Sequence, residues 1–287
     1  MRLLAPTCKA RVQGSGQKKS CGGPPHPCLN PERLARISNV VTSTEMRTSI
    51  WIPLTAGARW LFQTGYLWEW LTALLTGLFA AGVTVLVEPT QRFIPEQKIE
   101  SVIVRDAALL YPVKPDLVSG EALVVVVLSP IIMFAAVQYS KRSIAYHARL
   151  MDFHHACLSL CQALAITFLI TNCIKNTAGR HRPSWYDRVE LDYKVRDGKL
   201  SYPSGHASMS FASMGVATLY LMGHTRVFRA TCHQLLLLLL SLLPIGISTM
   251  IAVSRTLDYH HYYSDINAGC FIGMVRVFCA HTILVSS

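Results

Sequence analysis

The chain has 287 residues, 51% of them apolar and only 15% charged, and a formal net charge of +11. Several long windows hold no charged residue, and a bilayer core about 30 Å thick needs about 20 apolar residues per helix, so the composition describes a polytopic membrane protein rather than a soluble enzyme. Nucleic acid is excluded as a partner by where the charge lies. Nine of the 27 basic residues precede Trp60 and seven more lie between Lys175 and Lys199, with no basic stripe interleaved with stacking aromatics. The excess suits cytoplasmic flanks of membrane helices and an anionic substrate.

Residues 1–59 form a basic, Gly- and Pro-containing arm, expected to be disordered. No apolar core follows its early charges as a secretory signal would require, although its Arg-rich, acid-poor composition also suits an organelle transit segment. Residues 60–287 are expected to form one membrane domain of the all-α class, a polytopic bundle of six transmembrane helices. The first span is Leu67 to Val87, with Trp60, Trp68 and Trp70 as interface anchors. A polar connection, Glu88 to Ser119, leads to a second span from Glu121 to Tyr139, closed by Lys141 and Arg142. The third runs from about His155 to Asn172, the fourth from His206 to Gly223, the fifth from Gln234 to Val253, and the sixth begins near Tyr262 and contains Arg276. None of the runs alternates as barrel strands do. The nine cysteines include no C-x-x-C pair and read as small buried thiols rather than a disulfide framework.

Six spans place both termini on one side. The arm, the Lys141–Arg149 connection and the Arg226–Arg229 connection are basic and therefore cytoplasmic. The connections after spans one, three and five then share the opposite face. Connection three is itself basic, so its cations need a reason other than topology.

Three stretches on that face carry chemistry: KNTAGRHRP (Lys175 to Pro183), YPSGH (Tyr202 to His206) and SRTLDYHHYYSD (Ser254 to Asp265). Lys175, Arg182 and Arg255 supply cations for phosphoryl oxygens, and Arg adds a planar fork that grips two at once. Ser204 and Gly205 open a helix, whose free N–H groups attract phosphate, and His206 stands beside them as a proton donor. His261 and Asp265 are four apart, so on a helix starting there the carboxylate would orient one imidazole nitrogen and leave the other as nucleophile. His260 is five from Asp265 and points elsewhere. Singly, each feature has an ordinary reading as a helix cap, a snorkelling lysine or a structural hydrogen bond. Their convergence on one face carries the weight.

Lys-x6-Arg-Pro, Pro-Ser-Gly-His and Ser-Arg-x5-His-x3-Asp resemble the three-part signature of the type 2 phosphatidic acid phosphatase superfamily, which includes the lipid phosphate phosphatases. The resemblance covers about Leu67 to Asn267 and matches every signature position. It implies a metal-independent membrane hydrolase of lipid phosphates such as phosphatidate, lysophosphatidate, diacylglycerol pyrophosphate or sphingoid phosphates. His261 would form a phosphohistidine with Asp265 orienting it, and His206 would protonate the leaving group and later activate water. Lys175, Arg182, Ser204, Gly205 and Arg255 would hold the phosphate. No cofactor is implied, and the active site would face the lumen or the cell exterior. A polyprenyl-diphosphate phosphatase or lipid phosphotransferase could use the same site. An inactive transporter, or a metal site from Asp258, His260, His261 and Asp265, are the readings from other classes.

Overall fold

The computed structural model describes residues 61, 63–94, 97–99, 102–141, 144–229 and 232–286. The arm expected over residues 1–59, Trp60 and the Arg276 side chain lie outside the described residues.

Helix α1 (Tyr66–Leu86) matches the first apolar run. The connection after it contains a two-stranded antiparallel hairpin, β1 (Gln97–Ile99) and β2 (Val102–Val104), and a single 3-10 turn at Ala107–Leu109. Helix α2 (Gly120–Ser140) starts where the Ser119 hydroxyl accepts the Ala122 N–H at 3.2 Å, with Glu121 in its first turn. Helix α3 (Tyr146–Ala178) extends well beyond the third run in both directions and ends at Gly179, left-handed at φ 52, whose N–H closes on the Lys175 carbonyl. Two short helices, α4 (Trp185–Glu190) and α5 (Val195–Gly198), fold connection three. Then follow α6 (Gly205–Thr225), α7 (Gln234–Leu257) and α8 (Tyr263–Ser286). The chain is thus predominantly helical, with the hairpin as its departure from an all-α fold.

By length and composition, α1, α2, α3 and α7 can cross a bilayer. Helix α8 is as long, at 24 residues, and helix α6, at 21, is as long but more polar. The reason is position. Helix α6 packs against α2, α3, α7 and α8 and is buried along most of its length. An interior helix needs small residues and matched polar groups rather than bulk hydrophobicity. Accordingly Ser213 Oγ donates to the Val127 carbonyl at 2.6 Å, Ser248 Oγ to the Ser210 carbonyl at 2.9 Å, and Thr171 Oγ1 to Ser208 Oγ at 2.9 Å. Helix α8 meets α6 through glycines. A Cβ on Gly269 or Gly273 would stand 2.6 Å from the Ser204 or Ser208 carbonyl oxygen, so only glycine permits this approach. Phe134, Leu160, Val216 and Val277 fill the adjoining core between α2, α3, α6 and α8.

Of the nine cysteines, Cys157, Cys161, Cys173, Cys232 and Cys270 are described and free. Cys173 and Cys232 are exposed rather than buried, Cys173 because it lies on an outward face of α3.

The C-terminal ends of α3 and α7 and the N-terminal ends of α2, α6 and α8 meet at one end of the bundle. Connection one is laced over that end. Thr90 N–H donates to the Asn176 carbonyl, Val113 N–H to Asp187 Oδ2, Leu117 N–H to Asp258 Oδ2, and the Tyr262 hydroxyl to the Ala108 carbonyl, at 2.6 to 3.0 Å. Connections one, three and five therefore share one end, as the charge count required.

Candidate active site

Lys175 arrives on the last turn of α3, half-buried, with Nζ donating to the Leu200 carbonyl at 3.0 Å. A Cβ on Gly205 would stand only 4.0 Å from that Nζ, so the ammonium lies beside the first turn of α6. Ser204 caps this turn by accepting the Ala207 N–H at 3.5 Å, and its own N–H donates to the Asp265 carbonyl at 2.9 Å, tying the starts of α6 and α8 together. Arg255 closes α7, and a left-handed Tyr259 (φ 55) swings the chain back so that the His260 and His261 N–H groups reach the Arg255 carbonyl.

Arg182, His206, Arg255 and His261 line one cavity of about 280 Å³. Residues up to 79 positions apart in sequence thus face a single space. Carboxylates hold its cations in place. Arg182 Nη2 lies 2.7 Å from Asp197 Oδ1, and Arg255 is forked between Asp116 (2.9 Å) and Asp258 (2.5 Å). Burial works to raise the Asp197 carboxyl, but Arg182, Lys175 and Arg188 outweigh it and keep the group below its ordinary value.

His261 sits two residues before α8 rather than on its face, which differs from the helical spacing expected for His-x3-Asp. Its Nδ1 is 3.8 Å from Asp265 Oδ2, close enough for charge to matter but longer than a hydrogen bond. Asp265 is fully buried and committed elsewhere: Oδ1 accepts from Arg180 Nη1 at 2.6 Å, while Oδ2 accepts from Ser201 Oγ at 2.6 Å and from the Tyr262 N–H at 3.2 Å. Burial above all, and then Arg182 and Lys175, lower the His261 pKa, so the imidazole is neutral. His261 Nδ1 and His206 Nε2 are buried without hydrogen-bond partners. His260, by contrast, is occupied, with Nδ1 against the Asp258 carbonyl at 2.9 Å and Nε2 against Asp116 at 3.2 Å.

Among the described residues, the His/Asp cluster with metal-ligand spacing is Asp116, Asp258 and His260, without His261 or Asp265. Arg255 bonds both of its carboxylates, so a guanidinium already supplies their counter-charge. The four-residue metal set weighed from sequence does not assemble.

Arg180, Ser201, Asp197 and Asp116 escaped the sequence reading, and Asp258 entered it only as a metal ligand rather than as the partner of Arg255. The signal was the unexplained basicity of connection three. Beyond Arg180 and Arg182, Arg196 Nη2 donates to the Thr84, Val85 and Val87 carbonyls at the end of α1, and Lys199 to Gln91.

Residues 156–286, which contain every signature position, match the model of the PAP2 superfamily. A PA-phosphatase related-family protein of Dictyostelium discoideum is 37% identical over 219 residues, covering 74% of this chain and 77% of the relative. The chain belongs to the PAP2 superfamily. Lipid phosphate phosphatase 2 of Arabidopsis thaliana is 32% identical, with 74% of each chain covered. Diacylglycerol pyrophosphate phosphatase 1 of Saccharomyces cerevisiae is 32% identical over 41% of this chain and 47% of its own. No solved structure matches. As a PAP2 member the chain is a phosphatase, and its apolar helices make it a membrane protein.

Proposed function

We propose that the chain is a six-span lipid phosphate phosphatase whose site faces the lumen or the cell exterior, α6 and α8 being the fourth and sixth spans. The observation that carries this reading is the single cavity lined by His206, His261, Arg182 and Arg255. The phosphoryl group rests on Arg182, Arg255, Lys175 and the first turn of α6, with Ser204 and Gly205 at that turn. His261 Nε2 attacks phosphorus while the bond from phosphorus to the lipid oxygen breaks. His206 gives its proton to that oxygen, releasing the lipid alcohol or monophosphate. His206 then takes a proton from water, whose oxygen attacks phosphorus as the N–P bond breaks, so inorganic phosphate leaves and both imidazoles are restored. Asp265, clamped by Arg180 and Ser201, faces Nδ1 and steadies the positive charge that develops on the ring.

Fixed cations supply the charge a metal would, so phosphate release from phosphatidate is expected to survive EDTA. The test is purified protein in mixed micelles with chelator, wild type beside His261→Ala, together with trapping of the acid-labile phosphoenzyme. Full activity in the variant would falsify the nucleophile assignment.

A further inference from the structure

Arg188 lies outside all three motifs, yet it lines the same cavity as both histidines. It is 1% exposed, and its Nη1 has no hydrogen-bond partner. The side chain is otherwise held firmly. Nε donates to Ser184 Oγ at 3.0 Å, and Cδ packs so closely over Gly198 that a Cβ there would stand 3.3 Å away. A buried guanidinium with an open donor is costly unless an anion completes it. Asp197 shows where that anion goes: its Oδ1 is 2.7 Å from Arg182 and its Oδ2 is 3.6 Å from Arg188, so the two guanidinium groups lie within reach of one small anion.

Charge and volume both exceed the needs of a single phosphoryl group. Lys114, Arg188 and Lys194 line the cavity with Arg182 and Arg255, five cations against the two lining carboxylates Asp116 and Asp197, a surplus of three. A phosphomonoester brings at most two negative charges, whereas a lipid diphosphate brings up to three. About 15 Å³ of such cavity space already admits one water, so about 280 Å³ far exceeds what the four heavy atoms of one phosphoryl group fill.

We infer that Arg188, with Lys114 and Lys194, forms a second phosphoryl subsite beside the cradle, and that this subsite selects lipid diphosphates over lipid monophosphates. The inference rests on the phosphatase reading and deepens it. The terminal phosphoryl group occupies the cradle and is attacked by His261, and the inner phosphate lies on Arg188. The P–O bond between the two phosphates breaks, the inner phosphate leaves with the lipid, and water then releases the terminal one from His261. The net reaction consumes one water and yields a lipid monophosphate and inorganic phosphate.

The test compares diacylglycerol pyrophosphate with phosphatidate of the same acyl chains, using the full chain in mixed micelles with EDTA. In wild type kcat/KM favours the diphosphate. Arg188→Gln lowers the diphosphate-to-monophosphate ratio by about tenfold or more, the loss of a charge-assisted contact to one substrate only. Lys114→Ala/Lys194→Ala, at two exposed positions, moves the ratio the same way by a smaller factor. Equal losses on both substrates in either variant would assign Arg188 to the scaffold and overturn the subsite. If Arg188→Gln fails to fold, the double lysine variant decides. A wild type inert toward every lipid phosphate would instead sink the phosphatase reading, and the subsite with it.

Discussion

Two histidine–aspartate pairs sit at opposite ends of the bundle, and their surroundings differ in one decisive respect. At the end away from the cavity, His224 Nε2 contacts Asp152 Oδ2 at 2.9 Å, and the same oxygen accepts from Gln138 and from the Tyr220 hydroxyl (3.3 Å). The imidazole stacks on Tyr220 with ring centroids 4.1 Å apart, and its other nitrogen meets the Tyr220 carbonyl at 3.1 Å. At the cavity end, His261 stands 3.8 Å from Asp265, its Nδ1 has no hydrogen bond, and the cations Arg182 and Lys175 lie near it. A satisfied pair fastens α2, α3 and α6 together; an unsatisfied one is ready to change its bonding when a substrate arrives. His–Asp proximity alone does not mark a catalytic pair. The ring proposed as nucleophile is the one whose Nδ1 lacks a hydrogen bond.

The largest expected effect divides the two pairs outright. His261→Ala should lower kcat by about 10³-fold or more, as loss of a nucleophile does. His224→Ala should keep kcat within about threefold but lower the melting temperature by a few degrees, reflecting lost hydrogen bonds of about 1 kcal/mol each. A His224 variant as inactive as the His261 variant would dissolve the distinction.

Next in size is the clamp on Asp265. Arg180→Ala removes a charge-assisted bond of about 1.5–3 kcal/mol, which corresponds to about 10- to 100-fold in kcat if it acts through Asp265 on the transition state. Arg180→Lys should recover part of that loss, and KM should move little. A change confined to KM would put Arg180 on the substrate instead.

The pH dependence of stability sharpens the contrast further. Burial and the neighbouring cations lower the folded pKa of His261 below its ordinary 6.5. The unfolded chain therefore binds a proton at this position that the folded chain refuses, and stability is lost as pH falls from 6.5 towards the folded value. His261→Ala abolishes this contribution, so its melting temperature should fall less between pH 7 and pH 5 than that of the wild type. Parallel melting curves would show that the ring is not held neutral by its site.

The smallest effect concerns the resting cavity. Asp197→Asn frees Arg182 from a half-exposed carboxylate and should strengthen inhibition by inorganic phosphate about threefold. Weaker inhibition would mean that Asp197 positions Arg182 more than it competes for it.

The apolar runs were legible because α1, α2, α3 and α7 carry lipid-facing surface, and the motifs because each packs several chemical residues into a few positions. Helix α6 is marked less strongly by hydropathy than the others, since Ser208, Ser210 and Ser213 serve interior contacts. The hairpin at 97–104 was invisible because three-residue strands are too short to show alternation. The partners of the proposed catalytic groups were hidden for a different reason. Arg180 is 85 residues from Asp265, and Asp116 is 139 from Arg255, and nothing local in the sequence announces a bond formed across the fold. The exact disposition of His261 depended on one left-handed residue, Tyr259, which carries no turn signature.

The glycine contacts between α6 and α8 have a consequence for the membrane the protein occupies. Gly269 and Gly273 seat backbone on backbone, and the Ser204–Asp265 bond pins the same ends, so the carriers of His206 and Asp265 move as one body. When lipid length changes and the peripheral helices tilt to follow it, this inner pair has no slack to take up the change. Turnover should accordingly hold steady across vesicles of different thickness, until a bulkier residue at 269 wedges the two helices apart.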